Sequence, residues 1–546
     1  MRVAEAIGRE LAGLGVGTVF GVVGSGNFHV TNGLIAGGAR FIPARHEGGA
    51  AVMADAWART TGRVGVLTVH QGPGLTNAMT GITEAAKSRT PLLVLAAEAP
   101  EARSNFHVDV AGLAAAVGAI PERLHSPATA LADTCRAYQS AMCRRTVLLA
   151  LPLDIQAGQC EHAQVCTGPL THPPQASGEA VAALAGLLRQ AERPVFIAGR
   201  GARGARAELE LLADGCSALL ATSAAAKGLF HGSPWNLDVS GGFASPLAAE
   251  LIRDADVIVA WGCSLNMWTT RHGTLIGPDA TLVQVDDDAS AIGAHRAVHL
   301  GVVGDVAETA AAVAGAIAGE ASQGVARSGF RSPAVRQRIT CEGRWRDVPY
   351  GDESDAERID PRTLSILLDD MLPAERTVAV DSGNFMGYPS MFLSVPDVSG
   401  FCFTQAFQSI GLGLASAIGA AVARPDRLTV AALGDGGTLM GVSELETLVR
   451  LSLPMLVVVY DDEAYGAEVH HFGPDGEPLD TVRFPAADIA AIGRGFGCEG
   501  VTVRRAEDLA AVRSWLDGRR SRPLVVDAKV TATHGSWWLE EAFRGH

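Results

Sequence analysis

The sequence predicts an α/β protein made of three doubly wound domains, each built on a parallel sheet. Short apolar runs of strand length, such as residues 64–69 and 91–97, alternate with segments of helical periodicity. Continuous apolar strands between helices are typical of parallel sheets that are buried on both faces. The chain has 546 residues and 48% hydrophobic content, which is enough for about three or four domains with cores of their own.

Two stretches without regular apolar periodicity divide the chain, at residues 158–177 and 328–360. We interpret both as linkers, because long segments without a periodic pattern are uncommon inside compact domains. The predicted domains are residues 1–160, 178–327 and 360–546. Buried strands are predicted in the middle domain at residues 194–198, 257–261 and 281–286.

Charge and composition narrow the class of protein. A formal net charge of −15 without a long basic run disfavours nucleic acid or an anionic membrane as a partner. The first eleven residues place charges where a signal peptide needs an apolar segment, and the apolar runs are shorter than the roughly twenty residues of a membrane span. We therefore expect a cytoplasmic protein. Its nine cysteines include no Cys-x-x-Cys pair and are predicted to be reduced core thiols.

The turn Gly434-Asp435-Gly436 follows an apolar strand at residues 428–433. Glycines let backbone amides approach phosphate oxygens, and a carboxylate in the turn can hold a divalent cation against them. Asp462 stands 27 residues after Asp435, beyond a helical pattern and a second buried strand. Both aspartates thus fall at the carboxyl ends of strands, where open parallel sheets bind their ligands.

Magnesium prefers about six oxygen ligands. We predict that Asp435, Asp462 and the backbone carbonyl of Ala464 bind it, together with two diphosphate oxygens and a water. Neighbouring residues on a strand point to opposite sides, so Asp462 is expected to face the ion and Asp461 to face away. The alternative is a Gly-Asp-Gly turn whose acids face solvent.

Four separated blocks give the chain a resemblance to a known family. They are residues 44–50 (ARHEGGA), 72–77 (GPGLTN), 410–419 (IGLGLASAIG) and the metal-binding block just described. In this order, over essentially the whole chain, they resemble the thiamin diphosphate-dependent enzymes that include acetolactate synthase, pyruvate decarboxylase and benzoylformate decarboxylase. The overall pattern is most similar to acetolactate synthase-like proteins.

The resemblance implies thiamin diphosphate and Mg²⁺ as cofactors. It also implies a first domain that binds the aminopyrimidine, a third that binds the diphosphate, and a site completed where these domains of two subunits meet. The implied partners are therefore a small-molecule 2-oxo acid and further copies of this chain, in a homodimer or homotetramer.

By the same resemblance, Glu47 is a catalytic residue that also binds the cofactor. A carboxyl group bonded to a pyrimidine nitrogen favours the imino tautomer, whose neighbouring nitrogen removes the thiazolium proton. The alternative is that Glu47 is only a carboxylate at the start of a helix, where negative charge is favourable.

Further cofactor contacts follow from the resemblance. Ile410 matches the apolar residue that holds the cofactor in its bent shape, and residues 381–384 resemble a loop that caps the diphosphate. The predicted contacts beyond Glu47 are Ser382, Gly383, Asn384, Gln408, Ile410, Gly434, Asp435, Gly436, Gly437, Asp462, Ala464, Tyr465 and Gly466.

Three more residues are predicted to be catalytic. Glu468 stands three residues after Tyr465, as a glutamate does in pyruvate decarboxylases, whereas synthases show a methionine and a Gln-Trp pair in this stretch. His70 and Ser25 resemble the active-site histidine and serine of benzoylformate decarboxylase. The alternatives are a hydrogen-bonded histidine at a strand end and an ordinary Gly-Ser-Gly turn.

The implied reaction is decarboxylation of a 2-oxo acid to an enamine, followed by carboligation to an acceptor carbonyl, as in acetolactate synthase. One alternative is a simple decarboxylase, in which Glu468 or His70 protonates the enamine and an aldehyde is released. A third reading, from another class, is a non-catalytic homologue that only binds the cofactor; Glu47 argues against it.

Two nucleotide cofactors are also considered. The glycines of residues 21–26 do not form the Gly-x-Gly-x-x-Gly fingerprint, so a nicotinamide dehydrogenase is rejected. Residues 199–204 stand where synthases begin their contacts with flavin adenine dinucleotide (FAD). Relatives without flavin keep similar glycines, and the sequence leaves FAD open.

Overall fold

The computed structural model describes residues 1–160, 173–320 and 329–542. Parts of both predicted linkers and the ends of two predicted domains lie outside these ranges. The described chain contains three six-stranded sheets in which every strand pairing is parallel. Helices flank each sheet, which confirms the α/β fold class with three doubly wound sheets. Each sheet lies within one of the predicted domain ranges.

The first sheet has the strand order β2-β1-β3-β4-β6-β5. Its strands are β1 (Thr18–Gly21), β2 (Arg40–Pro43), β3 (Gly65–Val69), β4 (Leu92–Glu98), β5 (Ile120–Arg123) and β6 (Thr146–Pro152). Its helices are α1 (Val3–Gly13), α2 (Phe28–Ala36), α3 (Glu47–Thr61), α4 (Pro73–Lys87), α5 (Val110–Ala116), α6 (Ala130–Met142) and α7 (Leu153–Ala157).

The central sheet has the order β12-β11-β10-β7-β8-β9, which is also the order of many dinucleotide-binding folds. Its strands are β7 (Pro194–Ala198), β8 (Leu219–Thr222), β9 (Asn236–Val239), β10 (Val257–Trp261), β11 (Thr281–Asp286) and β12 (Leu300–Val303). Its helices are α8 (Gly178–Gln190), α9 (Arg206–Cys216), α10 (Pro246–Arg253), α11 (Met267–Thr270) and α12 (Val306–Glu320), and α13 (Pro333–Glu342) follows. The fold alone does not imply a nucleotide ligand.

The third sheet has the order β14-β13-β15-β16-β18-β17, which repeats the succession of the first sheet. Its strands are β13 (Arg376–Val380), β14 (Phe401–Phe403), β15 (Leu428–Gly434), β16 (Met455–Asp461), β17 (Glu499–Val503) and β18 (Leu524–Lys529). Its helices are α14 (Pro361–Met371), α15 (Gly387–Phe392), α16 (Gly413–Ala423), α17 (Asp435–Met440), α18 (Glu444–Arg450), α19 (Gly466–Phe472), α20 (Ile489–Phe496), α21 (Ala510–Asp517) and α22 (Trp537–Ala542).

The first and third domains pack together through α3 and α16. Buried residues of both helices belong to one hydrophobic cluster. Gly419 of α16 lies against the backbone of Met53, where a Cβ atom would clash. This close approach brings the start of α3, at Glu47, onto the third domain.

Three details differ from the sequence-based expectations. The expected linker at residues 328–360 contains α13, which buries none of its residues and therefore shows no apolar periodicity. The helix expected between the two metal-site aspartates is α18, and a further short helix, α17, begins at Asp435 itself. The thiols are not all core residues, because Cys143 and Cys341 are exposed. No helix in the described ranges is long and apolar enough to cross a membrane.

Candidate active site

The two aspartates predicted to bind the metal lie at the carboxyl ends of neighbouring strands of the third sheet. Strands β15 and β16 are parallel neighbours, with Gly434 opposite Tyr460 at their carboxyl ends. Asp435 directly follows β15 as the first residue of α17, and Asp462 directly follows β16. Both side chains line the same small cavity.

The electrostatics of this edge favour a cation. Burial, reinforced by the charge of Asp462, raises the pKa of Asp435 to about 8. Burial also raises the pKa of Asp462 to about 7. Two buried carboxylates that repel each other are stabilised by a positive charge between them. No cluster of three or more acidic, histidine or cysteine side chains suited to a metal occurs in the described ranges, so a metal here would need oxygens from a ligand as well.

Asp461 is directed away from this cavity. Its carboxylate is buried and forms an ion pair with Lys529 of the neighbouring strand β18. The Lys529 ammonium also lies 3.3 Å from Asp527. The two adjacent aspartates thus point to opposite sides of β16, as strand alternation predicts.

Three glycines in the cavity wall, Gly436, Gly437 and Gly466, stand where a larger side chain would clash. A Cβ atom at Gly436 would lie 2.8 Å from the ring of Tyr465. One at Gly437 would overlap the carboxylate of Asp381, and one at Gly466 would overlap that of Asp462. Close packing against Tyr465, Asp381 and Asp462 therefore requires glycine at these positions, and glycines bring no side chain between the backbone and a diphosphate.

The cavity is lined entirely by residues of the third domain. It includes most of the predicted cofactor contacts: Ser382, Gly383, Asn384, Ile410, Gly434, Asp435, Gly436, Gly437, Asp462, Ala464, Tyr465 and Gly466, together with the predicted catalytic residue Glu468. Gln408 does not line it; this residue is exposed and has a positive φ of 61°. The volume is only about 40 Å³, far below the roughly 300 Å³ of a typical ligand pocket.

Asp381 organises the loop around Ile410, a role that the sequence analysis did not identify. Its buried carboxylate accepts hydrogen bonds from the backbone N–H groups of Ser382, Gly411 and Leu412 at 2.8–3.2 Å. Burial raises its pKa to about 6, although these bonds oppose the rise. The available signal was an aspartate at the end of β13, immediately before a Ser-Gly turn.

Glu47 and His70 form a second group of residues, in the first domain. Glu47 begins α3 and accepts a hydrogen bond from Asn77 Nδ2 at 3.1 Å. His70 follows β3, and its Nδ1 accepts a hydrogen bond from the Gly26 N–H at 3.2 Å. Burial lowers the pKa of His70, and the nearby charge of Glu47 partly offsets this. The imidazole is therefore neutral at pH 7, within electrostatic reach of Glu47.

Ser25 is exposed on the loop that touches His70. A Cβ atom at Gly24 would lie 2.8 Å from the His70 ring, and the edge of that ring packs against Phe106 with centroids 5.4 Å apart. The structure thus places Glu47, His70 and Ser25 in one region of the first domain. In the described chain these three residues do not line the third-domain cavity.

A larger cavity, of about 270 Å³, lies between the third domain and residues 345–353 of the preceding segment. Its walls include Trp345, Tyr350, Arg362 and Trp537. It contains neither of the two metal-site aspartates, and we do not regard it as the site of the chemistry. In the central domain, Gly199 and Gly201 contact Gly262 through backbone atoms at the carboxyl ends of β7 and β10.

Comparison with known proteins agrees with this geometry. Residues 1–117 match the thiamine pyrophosphate enzyme N-terminal TPP-binding domain, residues 181–313 the central domain, and residues 381–528 the C-terminal TPP-binding domain. The two matched TPP-binding domains are those that carry Glu47 and the Asp435–Asp462 pair.

Similar proteins have several activities. A sulfoacetaldehyde acetyltransferase of Castellaniella defragrans is 28% identical, with 99% of this chain and 95% of that protein aligned. A probable 2-ketoarginine decarboxylase, AruI, of Pseudomonas aeruginosa is 30% identical, with 92% and 89% aligned. An acetolactate synthase large subunit of Parasynechococcus marenigrum is 28% identical, with 93% and 85% aligned. Three matched domains in family order and these full-length similarities show that the chain belongs to the thiamine pyrophosphate-dependent enzyme family.

Proposed function

We propose that the protein catalyses the decarboxylation of a 2-oxo acid, with thiamin diphosphate and Mg²⁺, and transfers the remaining acyl fragment to an acceptor carbonyl. The observation that carries the proposal is the pair Asp435 and Asp462, two buried carboxylates with raised pKa values at a glycine-lined strand edge. That donor set suits Mg²⁺ bound with a diphosphate.

The residues present fit this cofactor. Asp435, Asp462 and the carbonyl of Ala464 would hold the metal, and the backbone around Gly436 and Ser382 would receive the diphosphate. Bound thiamin diphosphate supplies a nucleophilic carbon for the substrate carbonyl and an electron sink for the electrons released with carbon dioxide. Ile410 lines the cavity and would give the cofactor an apolar contact.

The first-domain residues are suited to proton transfer. Glu47, held by Asn77, would hold a proton at the pyrimidine ring. His70 is neutral at pH 7 because burial lowers its pKa, so its free ring nitrogen is available to a substrate group. Glu468 lines the cavity and would exchange a proton with the bound fragment.

We propose that a second copy of the chain completes the site. Glu47 and His70 do not line the third-domain cavity of their own chain as described, and that cavity is too small for a cofactor. Large apolar side chains are exposed in both domains: Val23, Phe28 and Phe106 in the first, and Leu439, Met440 and Phe472 in the third. A dimer interface would remove these side chains from water, and an isologous dimer would pair each first domain with the partner's third domain.

A simple decarboxylase is the second candidate. The position of Glu468 in the cavity favours it, because a carboxylic acid there could protonate the fragment to give an aldehyde. The similarity to a probable 2-ketoarginine decarboxylase supports the same outcome. The proposal includes no flavin.

The test is product analysis. The protein would be incubated with thiamin diphosphate, Mg²⁺ and a panel of 2-oxo acids, with and without an acceptor aldehyde or 2-oxo acid, and the products identified by NMR. A hydroxyketone or acetohydroxy acid supports the carboligase, and an aldehyde alone supports the decarboxylase. If the wild-type protein binds the cofactor but consumes no 2-oxo acid, and so behaves like the Glu47→Gln variant, it is a non-catalytic homologue.

A further inference from the structure

Two buried glutamates connect the first and third domains in a reciprocal pattern. Glu84, near the end of α4 in the first domain, accepts hydrogen bonds from the backbone N–H groups of Ala406 and Phe407 at 3.0 and 2.6 Å. Glu444, at the start of α18 in the third domain, accepts them from His46 and Arg45 at 3.0 and 3.1 Å. Each carboxylate therefore binds two consecutive backbone amides of the other domain.

Each pair of amides lies just before a residue of the proposed site. Arg45 and His46 precede Glu47, the first residue of α3. Ala406 and Phe407 lie on the loop between β14 and α16, which carries Ile410. The two segments also occupy equivalent places in their domains. One follows the edge strand β2 and precedes α3, and the other follows the edge strand β14 and precedes α16.

Both glutamates are held firmly. Glu84 has no solvent exposure and forms an ion pair with the guanidinium of Arg59 at 2.7 Å. Burial alone would raise the pKa of Glu84, but Arg59 and the two backbone amides lower it below the usual value. Arg59 also binds Asp55 and the carbonyl of Phe403, so it ties Glu84 to β14. Glu444 accepts a hydrogen bond from the hydroxyl of Thr447 at 2.7 Å. Charge-assisted bonds to buried carboxylates are among the stronger hydrogen bonds in proteins.

The exposure of the Ile410 loop explains why such a contact is needed. Ala406, Phe407 and Gln408 are exposed, and Gln408 adopts a positive φ. Asp381 binds the loop beyond Ile410, at Gly411 and Leu412. Glu84 binds it before Ile410. The loop is thus fixed on both sides of the residue that supports the cofactor.

We propose that Glu84 and Glu444 are a reciprocal pair of positioning residues: Glu84 fixes the loop that carries Ile410, and Glu444 fixes the turn that carries Glu47. The inference rests on the proposed function, because both glutamates would act by positioning residues that contact bound thiamin diphosphate. In the proposed dimer, the two contacts within one chain would steady residues that belong to two different sites.

The experiment compares Glu84→Gln and Glu444→Gln with the wild-type holoenzyme. The readout is the rate at which the thiazolium C2 proton of bound cofactor exchanges with deuterium, measured by NMR after acid quench at saturating cofactor. Near-UV circular dichroism of the bound cofactor and thermal unfolding are recorded in parallel. We expect the exchange to slow about 10–100-fold in both variants, since small misplacements of reacting groups cost rates of that order.

Asp133→Asn is the matched control. Asp133 is a buried first-domain carboxylate that also accepts a backbone N–H bond, from His125, and an arginine bond, from Arg136. Its side-chain bonds stay within the first domain, so its loss should lower thermal stability without slowing the exchange. Equal slowing in Asp133→Asn and the two glutamate variants would show a general structural effect and overturn the proposal.

A further variant keeps the test of Glu444 decisive if Glu444→Gln fails to fold. Gly49→Ala retains every charge, and alanine favours the helix, yet its Cβ atom would lie 2.5 Å from Glu444 Oε1 and displace that carboxylate. Unchanged exchange at saturating cofactor in the folded variants would overturn the positioning role. Wild-type protein that neither binds the cofactor nor exchanges its proton would instead overturn the proposed function itself.

Discussion

Asp461 and Asp462 are neighbours in the chain but act on opposite sides of the third sheet. Asp461 is buried in an ion pair with Lys529, whereas Asp462 lines the cavity with Asp435. The two side chains meet different surroundings because successive side chains along a strand point to opposite faces of the sheet. Substitutions at the two positions should therefore separate ligand binding from stability.

We expect Asp462→Ala to weaken the binding of Mg²⁺ and thiamin diphosphate by about 100-fold or more, because losing even an outer partner of a metal site costs about 10–100-fold. Asp461→Asn should leave the binding constant nearly unchanged but lower the free energy of unfolding by about 1–3 kcal/mol, since Lys529 loses a buried charged partner. Isothermal titration calorimetry and urea unfolding measure the two effects. Equal losses of affinity would contradict the assignment.

How far sequence reasoning reaches depends on the range of the contact. The roles suggested for Asp435 and Asp462 depend on strand ends that are local in sequence, and the structure does place both side chains in one cavity. The contacts of Glu84 and Glu444 join segments that are more than 300 residues apart, and no local pattern indicates such a partner. Gln408, two residues before Ile410, stays a predicted cofactor contact; it is exposed, has a positive φ and does not line the cavity of the single chain.

Removing the metal should destabilise the protein more at higher pH. The pKa values of Asp435 and Asp462, about 8 and about 7, lie above those of unfolded aspartates. Between about pH 4 and 8 the folded state therefore holds more protons than the unfolded state, and its stability falls as the pH rises. We expect the melting temperature without metal to decrease from pH 5.5 to 8.

Adding Mg²⁺ and thiamin diphosphate should raise the melting temperature more at pH 8 than at pH 5.5, because the metal replaces the missing protons. Asp462→Asn, which removes one of the two interacting charges, should flatten the pH dependence. A metal-free protein whose melting temperature rises over this range would contradict the raised pKa values.

Glu47→Gln should abolish turnover while the protein still binds the cofactor. Glutamine keeps the size of the side chain and its contact with Asn77 but cannot hold the proton in the same way, and positioned acid–base groups contribute about 10²–10⁴-fold. We expect the thiazolium C2 exchange to slow by a factor in that range. Asn77→Asp, which places a second carboxylate beside Glu47, should slow it as well, whereas wild-type exchange in Glu47→Gln would refute the role.

Glu468→Gln should change the fate of the substrate fragment more than its formation. If Glu468 supplies the proton that releases an aldehyde, the variant should form less aldehyde and, with an acceptor present, proportionally more carboligation product. The ratio of the two products, measured by NMR at equal consumption of 2-oxo acid, checks this. Glu477→Gln is the control, since Glu477 is exposed and lies outside the cavity. An unchanged ratio would exclude Glu468 from the partitioning step.

Mixing two inactive variants tests whether a second copy completes the site. Glu47→Gln damages the first-domain group and Asp462→Ala the third-domain cavity. If each site combines the two groups from different chains, a mixed dimer contains one doubly damaged site and one intact site. Random exchange of subunits in an isologous dimer should then restore about a quarter of the wild-type activity. If one chain held the whole site, every site would keep one lesion and the mixture would stay inactive, so activity after mixing distinguishes the two arrangements directly.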